Sequence, residues 1–262
     1  MYATQPHCRY GKPPVVEVIC QLRFPEILAV SEKLPVDFQE AVRQMFPQYQ
    51  RRQEIAPPKI VGAPGSFSLE NPPPVVNYQF TSADGQWKIN LTSKFISLTC
   101  TNYSGWEEFA RHLDKPLASF IKLYKPAYFQ RVGIRYINFF SRQKLGLEDV
   151  PWAELFAPAY TGILNEPDVR EDQVASCGCD LVLKLDSSCQ VKIHAGPGRI
   201  QNNAPGAPQD PEVKFIFDMD LSMNGQTPCT LAAAALETLH GHGTRVFEGA
   251  VTDRLRDAMS TL

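Results

Sequence analysis

Asp180-Leu181-Val182-Leu183-Lys184-Leu185-Asp186-Ser187-Ser188-Cys189-Gln190-Val191-Lys192-Ile193-His194-Ala195 holds two alternating apolar runs on either side of a polar turn. Successive side chains of a strand point to opposite faces, so Leu181, Leu183 and Leu185 share one face, as do Val191, Ile193 and Ala195. Folding the run back on itself brings both sets to the same side when the loop is Ser187-Ser188-Cys189. A one-residue slip would send one set into water. The reading is an antiparallel hairpin. Lys214 to Met223, with Phe215, Phe217, Met219 and Leu221 inward, is predicted as the strand that follows.

Upstream the same alternation recurs. Val16, Val18, Cys20, Leu22 and Phe24 alternate with Glu17, Ile19, Gln21 and Arg23 in a first strand, and Arg131 to Phe140 forms another. Val75 to Ser82 and Gln86 to Thr92 are strands joined through Ala83-Asp84-Gly85, a hairpin-turn composition, and Lys94 to Asn102 alternates too. Helical spacing starts at Pro35, in Val36, Ala41, Val42, Met45, Phe46 and Tyr49. It is clearest in Trp106, Phe109, Leu113, Leu117, Phe120 and Tyr124, where Ser104-Gly105-Trp106-Glu107 has capping-box spacing. Pro116 predicts a kink or a split of that helix, and Gly241 and Gly243 predict a division of the last one, Pro228 to Met259. Pro57-Pro58, Pro64-Gly65 and Pro72-Pro73-Pro74 mark a loop from Ala56 to Pro74, and Gly196 to Pro211 marks a second. The stretch from Ser141 to Asp172 reads as a connector with one short helical turn around Trp152 to Phe156. The fold class is therefore α+β: a largely antiparallel, twisted sheet with helices packed on one face, in two loosely similar halves, 1–145 and 146–262, that share one core.

Composition narrows the function classes. With 262 residues, 44% hydrophobic and 21% charged, the chain is long and apolar enough to bury a core, which excludes disorder of the whole. A formal net charge of −2 excludes an overall basic excess of the kind that binds nucleic acid non-specifically. The start, Met1-Tyr2-Ala3-Thr4-Gln5-Pro6-His7, lacks the basic and apolar segments of a secretory signal, and no apolar run is long enough to cross a bilayer. The expected location is the cytoplasm, with the seven cysteines as reduced thiols and no membrane contact.

Three constellations invite chemistry. Cys177-Gly178-Cys179 suggests zinc, with Cys189 or His194 as further ligands, but the hairpin register puts Cys189 at the far end from Cys179. His194 lies nearer, facing Val182 in that register. Asp218 and Asp220 share one strand face, where pairing with a cross-strand arginine is the expected state. His240 and His242 point about 200° apart on a helix and do not chelate together unless the glycines break it. Neither a nucleophile elbow nor a phosphate or dinucleotide loop occurs, so no catalytic residue, cofactor or metal is expected.

Pro13-Pro14-Val15-Val16-Glu17-Val18 with Leu22-Arg23-Phe24, Arg131-Val132-Gly133-Ile134-Arg135-Tyr136-Ile137-Asn138, and Phe247-Glu248-Gly249-Ala250-Val251-Thr252-Asp253-Arg254-Leu255-Arg256 together resemble an uncharacterised, sporadically distributed family of prokaryotic proteins of similar length. The resemblance spans most of the chain and implies no activity. A scattered distribution implies a setting among mobile or defence genes.

The expected function is binding without catalysis, with another protein as partner, presented in part by the two Pro-rich loops. RNA or single-stranded DNA on the open sheet face is the alternative, since Arg23, Arg131, Arg135, Lys192 and His194 lie on polar strand faces and Phe139 is available to stack a base. A small ligand between sheet and helices is the third reading. Tyr136 and Asn138 enter the buried side of their strand, where each needs a hydrogen-bond partner: a structural network tying the strand to a helix, or a ligand pocket.

Overall fold

Residues 9–55, 59–63, 66–70, 74–200 and 210–260 are described by the computed structural model of the chain. The strands are β1 (Val15–Arg23), β2 (Gln48–Glu54), β3 (Lys59–Ala63), β4 (Ser66–Glu70), β5 (Val75–Thr81), β6 (Trp87–Leu91), β7 (Phe95–Cys100), β8 (Phe129–Phe140), β9 (Cys179–Lys184), β10 (Cys189–Arg199) and β11 (Val213–Thr227). Nine of them form one open antiparallel sheet in the order β2-β5-β6-β7-β1-β8-β11-β10-β9, and β3 pairs with β4 alone. With its helices this is an α+β fold. The chain makes the same journey twice: from β1 to the edge at β2 and back through β5, β6 and β7, then from β8 to the edge at β9 and back through β10 and β11.

Two compact units divide the chain within β1 and β8: Met1–Val18, Gly133–Asn224 and Ala233–Leu262 form one, Ile19–Val132 and Gly225–Ala232 the other. The second unit buries Cys20 and Leu22 of β1 and, just past its end, Phe24, whose ring lies 4.7 Å from that of Phe120 on the helix Trp106–Tyr124. Trp87 meets Phe109, and Phe38 meets Phe80, in the same layer. The first unit packs Trp152, Phe156, Phe215, Phe217 and Phe140 into an aromatic core that meets Phe247 of the helix Ala232–Ala250.

Several expectations need correction. β2 lies where helical spacing was extended to Tyr49; all seven of its residues are exposed, so it lacks the alternation that betrays a half-buried strand. β3 and β4 interrupt the first Pro-rich loop. The rest of that loop at 56–58, 64–65 and 71–73, residues 201–209 of the second loop, and Cys8 lie outside the described residues. The helix Trp106–Tyr124 runs unbroken through buried Pro116, because burial of Phe109, Leu113, Leu117 and Phe120 outweighs a proline cost of about 3 kcal/mol. Its N-cap is Gly105, without a side-chain cap, and Ser104 meets the Glu108 carboxylate instead. The connector holds not one turn but several: Arg142–Leu145, Trp152–Leu155, Pro158–Thr161, Gly162–Asn165 and Glu171–Gln173.

The last helix does not divide at its glycines; it continues to Ala250, and Asp253–Ala258 follows. Gly243 serves close packing: a Cβ there would stand 3.2 Å from Leu221 Cδ1 and 3.3 Å from Tyr136 Cε2. The β9–β10 hairpin pairs Leu183 with Val191 and Leu181 with Ile193, two residues away from the expected register, and His194 faces Asp180 rather than Val182. A two-residue shift keeps every apolar side chain on its face, so alternation does not distinguish the two registers; the turn does.

Candidate functional site

The turn is built on Asp186. Its Oδ1 accepts hydrogen bonds from the backbone N–H groups of Ser188 and Cys189, both at 2.7 Å, and from the Ser188 hydroxyl at 3.0 Å. Those donors, backbone first, hold the Asp186 carboxyl well below the usual carboxylate range. An aspartate reaching the N–H two residues ahead is an ordinary turn device, and that signal in Asp186-Ser187-Ser188 marks the true loop. The other carboxylate oxygen, Oδ2, meets Nε2 of His242 at 2.9 Å, and Arg245 reaches Nδ1 of the same ring at 2.7 Å. Cys189 is buried, which pushes its thiol pKa up. Asp186, Cys189 and His242 each bring one ligand atom within 4.8 Å of the other two. His240, two residues earlier, faces elsewhere, with Nδ1 2.8 Å from the Tyr136 hydroxyl.

Cys177-Gly178-Cys179 has a different explanation. A Cβ on Gly196 (φ +155°) would stand 2.7 Å from the Cys177 carbonyl oxygen and 3.0 Å from the Gly178 Cα, so small residues here let two backbones touch. Cys179 pairs with Ala195, while Leu185 N–H donates to the Cys189 carbonyl at the opposite end of the hairpin.

On the polar sheet face of the first unit, charges alternate from strand to strand. His194 stands between Asp180, 3.0 Å from its Nδ1, and Asp218, its partner across the β10–β11 pair. Asp218 in turn takes Arg135 in a bidentate pair, with Nε at 2.8 Å, and Asp220 and Glu17 add to the negative field on that guanidinium. Lys192 lies across from Asp220. Arg135, Lys192 and His194 on this face thus each stand beside a carboxylate. Arg23 and Arg131 belong to the other unit; Arg23 is exposed and donates to Gln21 at 2.9 Å. Arg131 is half-buried near Cys20. On β5, β6 and β7 the same unit carries an amide network, in which Gln79 and Asn77 donate to Asn90, Asn90 donates to Ser97, and Asn77 also donates to the Glu54 carboxylate.

Tyr136 and Asn138 are buried on β8, and the structure gives each a protein partner. The Tyr136 hydroxyl meets His240 on the helix Ala232–Ala250, and Asn138 Nδ2 donates to the Phe217 carbonyl at 2.9 Å. Asn138→Ala leaves that carbonyl without its side-chain donor, and a loss of about 1–3 kcal/mol is expected in chemical denaturation. A variant as stable as the parent would remove the amide from the structural network.

A groove of about 980 Å³ lies in the first unit, lined by Arg142, Arg170 and Arg199 together with Glu148, Asp149, Glu171, Asp172 and Cys177. Arg142 is held by Glu171 at 2.8 Å and lies over the Trp152 ring, and Arg170 is paired with Asp172. The chain matches no protein-family model and no curated protein. No helix among the described residues is long and apolar enough to cross a membrane, and the six described cysteines are free thiols.

The feature that sequence reasoning missed altogether lies in the second unit. Leu28, Leu34 and Val36 are 67%, 60% and 58% exposed, while Val30 of the short helix Leu28–Glu32 and Phe38 and Val42 of the next, Val36–Val42, are buried. Exposure of the first set shows only after the inward set is known, since both look equally apolar in sequence.

Proposed function

We propose that the protein works by binding another protein, as a non-enzymatic interaction or regulatory subunit, through the apolar ledge of Leu28, Leu34 and Val36. The observation that carries this reading is the exposure of three large apolar side chains within the nine residues 28 to 36, the kind of local concentration from which contact surfaces are built. Next to these positions in sequence are Glu26, Glu32, Asp37 and Glu40 beside Lys33 and Arg43, with Glu40 paired to Arg43 and Glu26 to Lys94, so carboxylates are in slight excess. The partner that fits is apolar at the centre of its contact and carries lysine or arginine at the rim. The family resemblance supports a setting among mobile or defence genes. RNA or single-stranded DNA is the weaker reading, because Arg135 and Lys192 face carboxylates that a phosphate backbone would have to displace.

The test is co-purification from the native host, followed by affinity measurements on the purified pair. Leu34→Glu with Val36→Glu is expected to weaken binding at least about 30-fold, the equivalent of about 2 kcal/mol at a contact hot spot. As exposed positions they leave the folded state within about 0.5 kcal/mol of the parent. A purified partner that holds the double variant as tightly as the parent overturns the ledge. A second reading, a small polar ligand, is favoured by the size of the groove, which falls in the range of ligand pockets.

A further inference from the structure

Nothing in the binding reading uses the hairpin turn of the first unit. There a thiol, an imidazole and a carboxylate converge from two distant segments, Asp186 and Cys189 from the β9–β10 turn and His242 from the helix Ala232–Ala250. We propose that Asp186, Cys189 and His242 form a binding site for a thiophilic divalent cation, with Zn²⁺ as the ion that suits the set best.

The ligand types make the selection. Sulfur and imidazole nitrogen suit zinc and disfavour calcium and magnesium, which take oxygen ligands. Zinc bond lengths of about 2.0–2.3 Å place the ligand atoms of a tetrahedral site roughly 3.5 Å apart. The ligand atoms, each within 4.8 Å of the others, lie near that spacing: no pair has to close by more than about 1.3 Å, and Asp186 Oδ2 and His242 Nε2, now 2.9 Å apart, have only to separate slightly. Two of the three groups sit in one turn that is already braced, since Oδ1 of Asp186 is engaged by three donors while Oδ2 is directed at His242. On binding, the Cys189 thiol loses its proton to solvent, while the neutral His242 ring shifts its proton from Nε2 to Nδ1. A thiolate and a carboxylate then balance the dication, and a fourth position remains for water or an incoming group.

Arg245 sets the terms of capture. A guanidinium only donates hydrogen bonds, so the contact at 2.7 Å makes Nδ1 of His242 the acceptor and places the ring proton on Nε2, facing Asp186. A cation on Nε2 requires the proton on Nδ1, directed into the Arg245 guanidinium. Arg245 is exposed and free to swing away, so it opposes the metal without blocking it.

The full chain, stripped with a chelator, is titrated with Zn²⁺ against a chromophoric chelator, and separately with Co²⁺ to read thiolate charge transfer in the near ultraviolet. One ion per chain is expected, with a thiolate band. His242→Gln and Asp186→Asn should each weaken binding by more than the roughly 100-fold that bounds the loss of an outer-shell partner. Arg245→Ala should tighten it by about 10-fold. Cys189→Ser removes the thiolate band; because Cys189 is buried, His242→Gln carries the test if the serine variant fails to fold. Cys177→Ser with Cys179→Ser leaves the affinity unchanged. Absence of stoichiometric binding, binding retained in His242→Gln, or binding lost with the Cys177 and Cys179 pair overturns the site.

Discussion

Arg256→Ala is expected to cost about 3–5 kcal/mol and to lower the melting temperature by about 6–20 °C. The size follows from what the arginine faces. Glu248, on the helix Ala232–Ala250, is 3% exposed, and its carboxylate takes Arg256 Nε at 3.4 Å and the Tyr10 hydroxyl at 2.8 Å. Arg256 also donates to the Glu248 carbonyl at 3.2 Å and pairs with Asp253. Removing the guanidinium takes a close counter-charge away from a buried carboxylate, and loss of one partner is where a buried pair matters most. Two residues earlier, Arg254 pairs with Glu154, but both side chains are more than half exposed. Arg254→Ala is the matched control, with a change of about 1 kcal/mol or less. Equal effects of the two substitutions in thermal melts would show that burial of Glu248 does not govern the stability of this joint.

Phe215→Ala should be comparably damaging, at about 3–5 kcal/mol. Phe215 is fully buried and stacks on Phe156 with ring centroids 3.8 Å apart, against Trp152 at 5.4 Å. Phe156 in turn meets the edge of Phe140 at 4.9 Å. Truncation removes the middle of a chain of rings whose neighbours are fixed by strand, helix and turn, so the space is poorly refilled and the cavity term adds to the lost transfer energy. Urea denaturation measures it. A loss below about 1.5 kcal/mol would mean that the rings repack, as volume-conserving exchanges do.

The sheet was readable wherever one face of a strand is buried. β1, β5, β6, β8, β10 and β11 alternate in sequence because they alternate in burial. β2 gave no such sign, being exposed throughout. Pro116 and Gly243 misled for a common reason: local propensity is a cost of a few kcal/mol at most, and burial of Phe109, Leu117 and Phe120, or the contact of Gly243 with Leu221 and Tyr136, overrides it. Asn138 was legible as a polar group in an apolar layer, although its partner, the Phe217 carbonyl, was not. The trio of Asp186, Cys189 and His242 was the hardest to see. It depends on a register that alternation leaves undetermined and on a helix that continues where its glycines suggest a stop. Arg135 was correctly placed on the polar face, but the alternation that put it there says nothing about Asp218 taking both its donors.

An open sheet ends in backbone groups that another chain can complete, so its two margins decide whether molecules stay apart. At β2 every residue is exposed and Arg51, Arg52 and Glu54 crowd seven positions. At β9 the outward positions are Asp180, Val182 and Lys184, a single apolar residue between opposite charges. A strand added at either margin would have to take those charges out of water as the new ladder forms. Keeping separate copies from joining edge to edge therefore falls to Arg51, Arg52, Glu54, Asp180 and Lys184 rather than to the buried core.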